Sequence, residues 1–365
     1  MLLVSVLAAL ISLFISHPSR ELLSSIDWKT LATLFMMLTV LEGFKKENIF
    51  RPLLILVGNI KTLLGLSFFL VFSVFFTSMF VTNDVSLIIF VPLTIILFRA
   101  AGREELILPL LAIENIAAVR GSLLMPFGSP QNLFLFGKSG MTTATFIKMM
   151  LPLCLISALL LCVFIIFLYC KNIKAPVAVD KGLLCSEWDR GRKKYRILYL
   201  ILFSVILLSI VTRTAYWPFI TAFVLITIVI FDRRVLQKTD YVLLLTFLCF
   251  FVFSSSITGN ERIAAFLSGV VAGREYISSI LVSQVISNVP ASIVLYPFST
   301  NLKALIYGLD SAGLCSLIGS LASVINYRIY VREYPQNGKK FIKVFTGISL
   351  LFFAFVALPG YLMSK

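Results

Sequence analysis

The amino-acid sequence predicts an all-α polytopic membrane protein of two inverted-topology repeats, each with a re-entrant hairpin and a broken transmembrane helix. Three observations lead there. Of 365 residues, 59% are hydrophobic and only 13% charged, whereas a water-soluble chain carries about 25% charged residues, so lipid must cover most of the surface. The Lys and Arg collect in short stretches between long apolar runs, which is the positive-inside pattern. Short polar stretches inside the apolar runs recur, in the same order, in the second half of the chain.

A helix needs about 20 apolar residues to cross a bilayer, and the runs are taken here in chain order. Residues 1–16 lack a basic n-region and a small-residue cleavage site, so they read as a retained span and not a secretory signal. The span 28–43 follows, and Lys45, Lys46 and Arg51 place the loop after it in the cytoplasm. Residues 45–60, with charges at their flanks around modest apolar content, read as an interfacial helix. The run 62–98 is divided by Thr82, Asn83 and Asp84, and Lys61, Arg99 and Arg103 put both flanks on the inner side. About 14 residues separate Asp84 from Arg99, nearer a re-entrant length than a span. The run 105–136 is interrupted at GSPQN (Gly128 to Asn132) and leads outward, and 145–170 returns to a loop, 171–196, dense in Lys and Arg.

In the second half, spans at 196–212, 216–231 and 241–257 are separated by an inner loop holding Arg233, Arg234 and Lys238. Residues 258–275, charged at both ends, read as another interfacial helix. The run 276–298 is divided by Ser287, Asn288, Val289 and Pro290 into an outer hairpin, and 304–327 is interrupted at Gly319 and Ser320. Arg328, Arg332, Lys339 and Lys340 mark a fourth inner loop before the last span, 341–362. Nine crossings and two hairpins satisfy all four loops, with the N-terminus cytoplasmic and the C-terminus outside.

Asp27 opens one helix and Asp240 another; TNDVSLIIF at 82–90 recurs loosely as SNVPASIVL at 287–295, and MPFGSPQN at 125–132 as SLIGSLAS at 316–323. The charge pattern sets Asp27 outside and Asp240 inside, so the copies run in opposite directions, as inverted repeats must. Residues 1–365 thus form one membrane domain, with repeat 1 over about 26–170, the cytoplasmic loop 171–196, and repeat 2 over about 239–362.

Several function classes are excluded by what the residues lack. Six Cys without a CxxC pair and a single His17 are too few ligands for zinc or a thiol redox centre. The basic residues are not interleaved with stacking aromatics, which argues against nucleic acid. There is no Walker A motif, no HExxH and no catalytic Ser/His pairing, so the chain reads as neither an ATPase nor an enzyme.

An acid at the bilayer centre costs roughly 2.5 to 3.5 kcal/mol unless partnered, and Asp84 therefore suits ion coupling; capping of the following helix, worth about 1 kcal/mol, is the competing account. Asn83 and Asn288 can offer carbonyl oxygens to a cation or amide hydrogens to an anion. The half-helix N-termini after Asp84, Asn132 and Ser320 point partial positive charge at a cavity. Arg120 is either a substrate counter-charge or half of a buried pair, with Asp310 its partner by pseudo-symmetry. Glu114, six residues before Arg120, is a further proton site or an interhelical polar contact.

The motifs TNDVSLIIFVPLT, GSLLMPFGSPQN, SQVISNVP and GSLAS resemble those of the ion transporter superfamily, the group of arsenite permeases, NhaD-type sodium/proton antiporters and citrate transporters, and within it the YbiR type of anion transporter. The resemblance runs from about Asp27 to Tyr330. It implies two hairpins and two broken helices meeting near the midplane, a scaffold and a transport domain, and a homodimer in the inner membrane. Thr82, Asn83 and Asp84 would form one hairpin tip and Ser287, Asn288 and Pro290 the other; Gly128, Ser129, Gln131 and Asn132 would form one break, Gly319 and Ser320 the other. The function implied is secondary active transport of a small anion or oxyacid by alternating access, coupled to H+ or to Na+ held near Asn83, Asp84 and Asn288, with no other cofactor. The sodium-dicarboxylate branch carries Ser-Asn-Thr at both tips, which this chain does not, and sodium (cation)/proton antiport is the alternative.

Overall fold

The computed structural model describes residues 2–15, 26–49, 57, 60–169 and 193–365. His17, Arg51, Cys170, Cys185 and most of the segments 45–60 and 171–196, on which sequence expectations fall, lie outside the described residues. Sixteen α-helices are present among the described residues: α1 (Leu2–Ile15), α2 (Trp28–Lys46), α3 (Leu63–Val81), α4 (Asn83–Ala100), α5 (Ile107–Gly121), α6 (Pro130–Ser139), α7 (Thr143–Leu168) and α8 (Lys193–Val211). They continue with α9 (Trp217–Leu236), α10 (Tyr241–Thr258), α11 (Glu261–Val271), α12 (Glu275–Ile286), α13 (Asn288–Leu295), α14 (Leu302–Ala312), α15 (Leu321–Glu333) and α16 (Gly338–Ser364).

The protein is a polytopic, all-α membrane protein. Among the described residues six helices (α3, α4, α7, α8, α10 and α16) are long and apolar enough to cross a bilayer, and α11 with α12 qualifies as a pair bent by 113°. Four of the six (α7, α8, α10 and α16) are expected single crossings and two (α3 and α4) are the expected hairpin arms, so five of the nine expected crossings do not qualify. The shortfall has a physical cause: α5/α6 and α14/α15 are each one run cut by a non-helical break, α1 has only 14 residues, α2 carries Lys29, Glu42, Lys45 and Lys46, and α9 carries Asp232, Arg233 and Arg234. The hairpin arms are longer than expected, 19 residues for α3 and 18 for α4, because Thr82 is the only residue of the turn that leaves the helical path.

The two halves pack crosswise. Helix α1 precedes α2 but packs on α10, while α9 precedes α10 and packs on α2; α4 packs on α15, and α6 on α13. Within each half the first hairpin arm lies against the first half of the broken helix, α3 on α5 and α12 on α14. Small residues permit the approach: a Cβ on Gly121 would stand 2.0 Å from the Phe75 carbonyl oxygen, and one on Gly308 2.5 Å from that of Tyr276. Consequently α5 sits at the centre, buried along nearly all of its length. Helices α7, α8, α9 and α16 turn Leu159, Phe167, Leu208, Phe219, Phe355 and Leu358 outward, the apolar surface that lipid covers.

The polar ends agree with one orientation of the bundle. Lys138 meets Asp27 at 3.0 Å and Arg213 donates to Ser139 at one end. At the other, Lys46 meets Asp232 at 2.6 Å.

Candidate functional site

Two turns and two breaks define the interior. Thr82, between α3 and α4, has φ 74° and ψ 153°, and Ser287, between α12 and α13, has φ 72° and ψ 156°. This is a region that costs a residue with a Cβ about 1 to 3 kcal/mol, so a Thr and a Ser holding it at matching places mark a shared device. The helices resume at once: Asn83, Asp84, Asn288 and Pro290 all lie in first turns and not in an unwound tip. The breaks match as well. Ser129 opens α6 at φ −147°, ψ 151°, and Ser320 opens α15 at φ −145°, ψ 141°. Gly128 and Gly319 precede them because a Cβ there would come within 2.2 Å of the Ser122 carbonyl oxygen and 2.3 Å of the Ala312 carbonyl oxygen.

A cavity of about 90 Å³ collects the first turn and the first break. Of the residues expected at the site, Thr82, Asp84 and Ser129 line it. The wall is completed by α2 (Met37, Leu41, Glu42 and Lys45), by Asp240 just before α10, and by Leu321 at the start of α15. Four helix N-termini, those of α4, α6, α10 and α15, therefore face one space, the α10 start being capped by Asp240 itself. The aligned peptide dipoles make it favourable for negative charge.

Asp84 performs no capping. The N-cap position of α4 makes no side-chain bond, and the Asp84 amide donates to Asn83 Oδ1 at 2.9 Å. Asp84 Oδ1 is shut from solvent without a hydrogen-bond partner. No hydrogen bond of the helix start uses the carboxylate.

The remaining expected residues form a second layer, buried behind the cavity. Arg120 is fully buried in the last turn of α5; its Nε donates to Ser157 Oγ at 2.9 Å and its Nη1 to the Asp310 carbonyl oxygen at 3.3 Å. The pairing expected between the two side chains is therefore met through the main chain and not the carboxylate. The Asp310 carboxylate instead accepts from Gln131 Nε2 and Asn132 Nδ2, both at 3.2 Å. One hydrogen of each of these amides is thus used on Asp310, while Gln131 Oε1 and Asn132 Oδ1 have no hydrogen-bond partner. The electrostatics explain the choice: Arg120 lies at the C-terminal ends of α5 and α14, and Asp310 at the N-terminal turn of α6, each charge against the helix end that favours it. Asn288 and Gly319 meet as well, through Asn288 N–H donating to the Gly319 carbonyl at 3.1 Å. Glu114 stands apart on α5, its Oε1 accepting from the Thr94 hydroxyl of α4.

Sequence reasoning missed Glu42 and Lys45 as cavity residues and used Asp240 only as a repeat marker. Their charge placed them at a helix end; only the packing of α2 and α10 against the hairpin brings them to the cavity.

Comparison with known proteins agrees with this architecture. The inner membrane protein YbiR of Escherichia coli is 30% identical over 362 residues, which is 97% of this chain and 92% of that protein. An uncharacterized transporter of Methanocaldococcus jannaschii is 31% identical over 335 residues, 90% of this chain and 88% of its own. A family model described as citrate transporter matches residues 1–319. A hairpin turn and a broken helix facing one cavity, with relatives aligned along nearly the whole chain, place this membrane transporter in the citrate transporter family.

Proposed function

We propose that the protein is a secondary active transporter of a small anion or oxyacid, working by alternating access and coupled to H+ or Na+ at Asp84. The observation that carries this is the convergence of the α4, α6 and α15 N-termini on one cavity, an arrangement that suits an anionic group. Asp84 in the same cavity has a free carboxylate oxygen, able to take the coupling cation together with the side-chain carbonyl of the adjacent Asn83. The inverted relation of the two halves, supported by the matched turns and breaks, supplies the two alternating states. Lys45, Glu42 and Asp240 stand at the cavity end nearest Lys46 and Asp232, which the positive-inside pattern assigns to the cytoplasm along with the N-terminus. A homodimer in the inner membrane is the assembly proposed.

A second reading, cation/proton antiport, is favoured by one observation. Glu42, Asp84 and Asp240 outnumber Lys45 around the cavity, and Arg120 and Asp310 balance each other behind it. Reconstituted proteoliposomes decide between them: accumulation of an anion from a panel of oxyanions and carboxylates, driven by an imposed proton or sodium gradient, is expected. Loss of flux for every anion with sodium-driven pH change retained would replace the first reading with the second.

A further inference from the structure

Outside the cavity, α4, α5 and α15 meet in a buried polar junction that the transport reading does not use. Glu114, Asn115 and Asn326 are fully buried there. Asn115 Nδ2 donates to Ser323 Oγ of α15 at 3.0 Å, and Asn326 Nδ2 donates to the Leu111 carbonyl of α5 at 2.8 Å. Only an NH2 group can donate to a carbonyl, so the second bond fixes which way the Asn326 amide points. In an α-helix the carbonyl of residue 111 is the one that the amide of residue 115 approaches. Asn326 is therefore held at the level of Glu114 and Asn115.

Both amide nitrogens are thus committed, and three oxygens at that level, Glu114 Oε2, Asn115 Oδ1 and Asn326 Oδ1, accept no hydrogen bond. Arg120, on the same helix, lies six residues on, about 9 Å along the axis, and is bonded to Ser157 and to the Asp310 carbonyl. No Lys or Arg nitrogen pairs with Glu114 among the described residues. A carboxylate so placed needs compensating charge. A proton on Glu114 would supply one hydrogen and still leave an amide oxygen without a partner. One cation held between the three oxygens would satisfy them together. Its charge is set by the single carboxylate, since no group of three or more acidic, His or Cys ligands occurs among the described residues; a divalent ion would leave a net charge buried in a low dielectric.

We propose that α4, α5 and α15 enclose a monovalent-cation site, of Na+ class, ligated by Glu114 Oε2, Asn115 Oδ1 and Asn326 Oδ1 and separate from the solute cavity. The hard oxygen set suits an alkali ion. The site does not depend on which solute the cavity carries. It ties the second arm of the first hairpin, through Glu114 and Thr94, to the second half of the other broken helix, so its occupancy bears on how the two halves hold together.

The test is thermal unfolding of the purified full chain in NaCl against choline chloride at equal ionic strength. The expected result is an unfolding temperature that rises and saturates with NaCl and is flat in choline, as ligand binding to the folded state requires. Glu114→Gln, close in shape, removes the rise; Asn326→Ala moves the half-saturating Na+ concentration up by about tenfold, a loss of about 1.4 kcal/mol. A wild-type response blind to Na+, or a Na+ response unchanged in both variants, overturns the proposal. So does loss of the response in Asp84→Asn with retention in Glu114→Gln, which would put the ion at the hairpin turn. The wild-type comparison needs no variant to fold. Failure of anion flux with this Na+ response intact would sink the transport reading alone.

Discussion

At Thr82 and at Ser287 the backbone takes the same rare geometry, within a few degrees in φ and ψ, yet the two turns face different surroundings. The first turn opens on a cavity, and the next residue but one is an acid whose Oδ1 is unpartnered. The second is bonded to the break of its own half: the Asn288 amide donates to the Gly319 carbonyl, and the residue matching Asp84 is Val289. The two stretches share a hydroxyl residue followed by Asn and the same backbone geometry, while their surroundings and charge are set by what packs opposite.

The comparison breaks most completely at Asp84. Asp84→Asn keeps the shape and the helix start, which do not use the carboxylate, and is expected to abolish the pH dependence of anion binding, read as thermal stabilisation by a panel of anions across pH. An unchanged profile would leave Asp84 without a coupling role. Val289→Asp is the converse change; it places a carboxylate at the second turn and is expected to destabilise that half without conferring pH-dependent binding.

Next in size are the glycines of the breaks, where the halves should respond alike. Gly128→Ala drives a methyl against the Ser122 carbonyl and Gly319→Ala against the Ala312 carbonyl, at nearly equal calculated approach. Backbone oxygens cannot move aside as a side chain would, and each substitution is expected to cost about 1 to 3 kcal/mol or more, seen as a lowered unfolding temperature. A large cost in one half with none in the other would mean that the breaks are not equivalent.

How much of this was legible in the sequence follows from the same division between local and crosswise structure. The turns at Thr82 and Ser287 and the breaks at Gly128 and Gly319 were readable because polar and Gly-containing stretches cannot hide inside apolar runs. The adjacency of Arg120 and Asp310 was readable from pseudo-symmetry. The destination of the Gln131 and Asn132 amides was not, because Asp310 reaches them only through the packing of α14 and α6. Lys45 was likewise read as marking a loop, and Glu42, inside the expected span 28–43, was not singled out; the contact of the α2 end with the hairpin is a fact of tertiary structure, invisible in periodicity or charge.

Relief of strain gives a smaller and opposite effect. Thr82→Gly and Ser287→Gly remove a penalty of about 1 to 3 kcal/mol and add the entropy cost of Gly, about 0.5 to 1 kcal/mol, so each is expected to raise stability by roughly 1 kcal/mol. Transport should fall in Thr82→Gly, because that side chain lines the cavity. A gain in stability with transport intact would show that the hydroxyl at the strained turn serves no solute.

The smallest effect separates the two helix starts. Asp27 and Asp240 cap α2 and α10 in the same way, accepting from Thr30 N–H and Leu243 N–H, both at 3.0 Å. Removing either cap by substitution to Ala is expected to cost about 1 kcal/mol. Asp27 also meets Lys138 at 3.0 Å, a partly exposed pair worth up to about 1 kcal/mol, so Asp27→Ala should lower the unfolding temperature slightly more, and high salt should narrow the gap. Asp240→Ala, by contrast, takes an acid from the cavity wall and should strengthen anion binding as it weakens the helix. Stability and binding moving together in Asp240→Ala would leave that carboxylate a cap alone, and the acidic count around Lys45 would lose its weight in favour of cation transport.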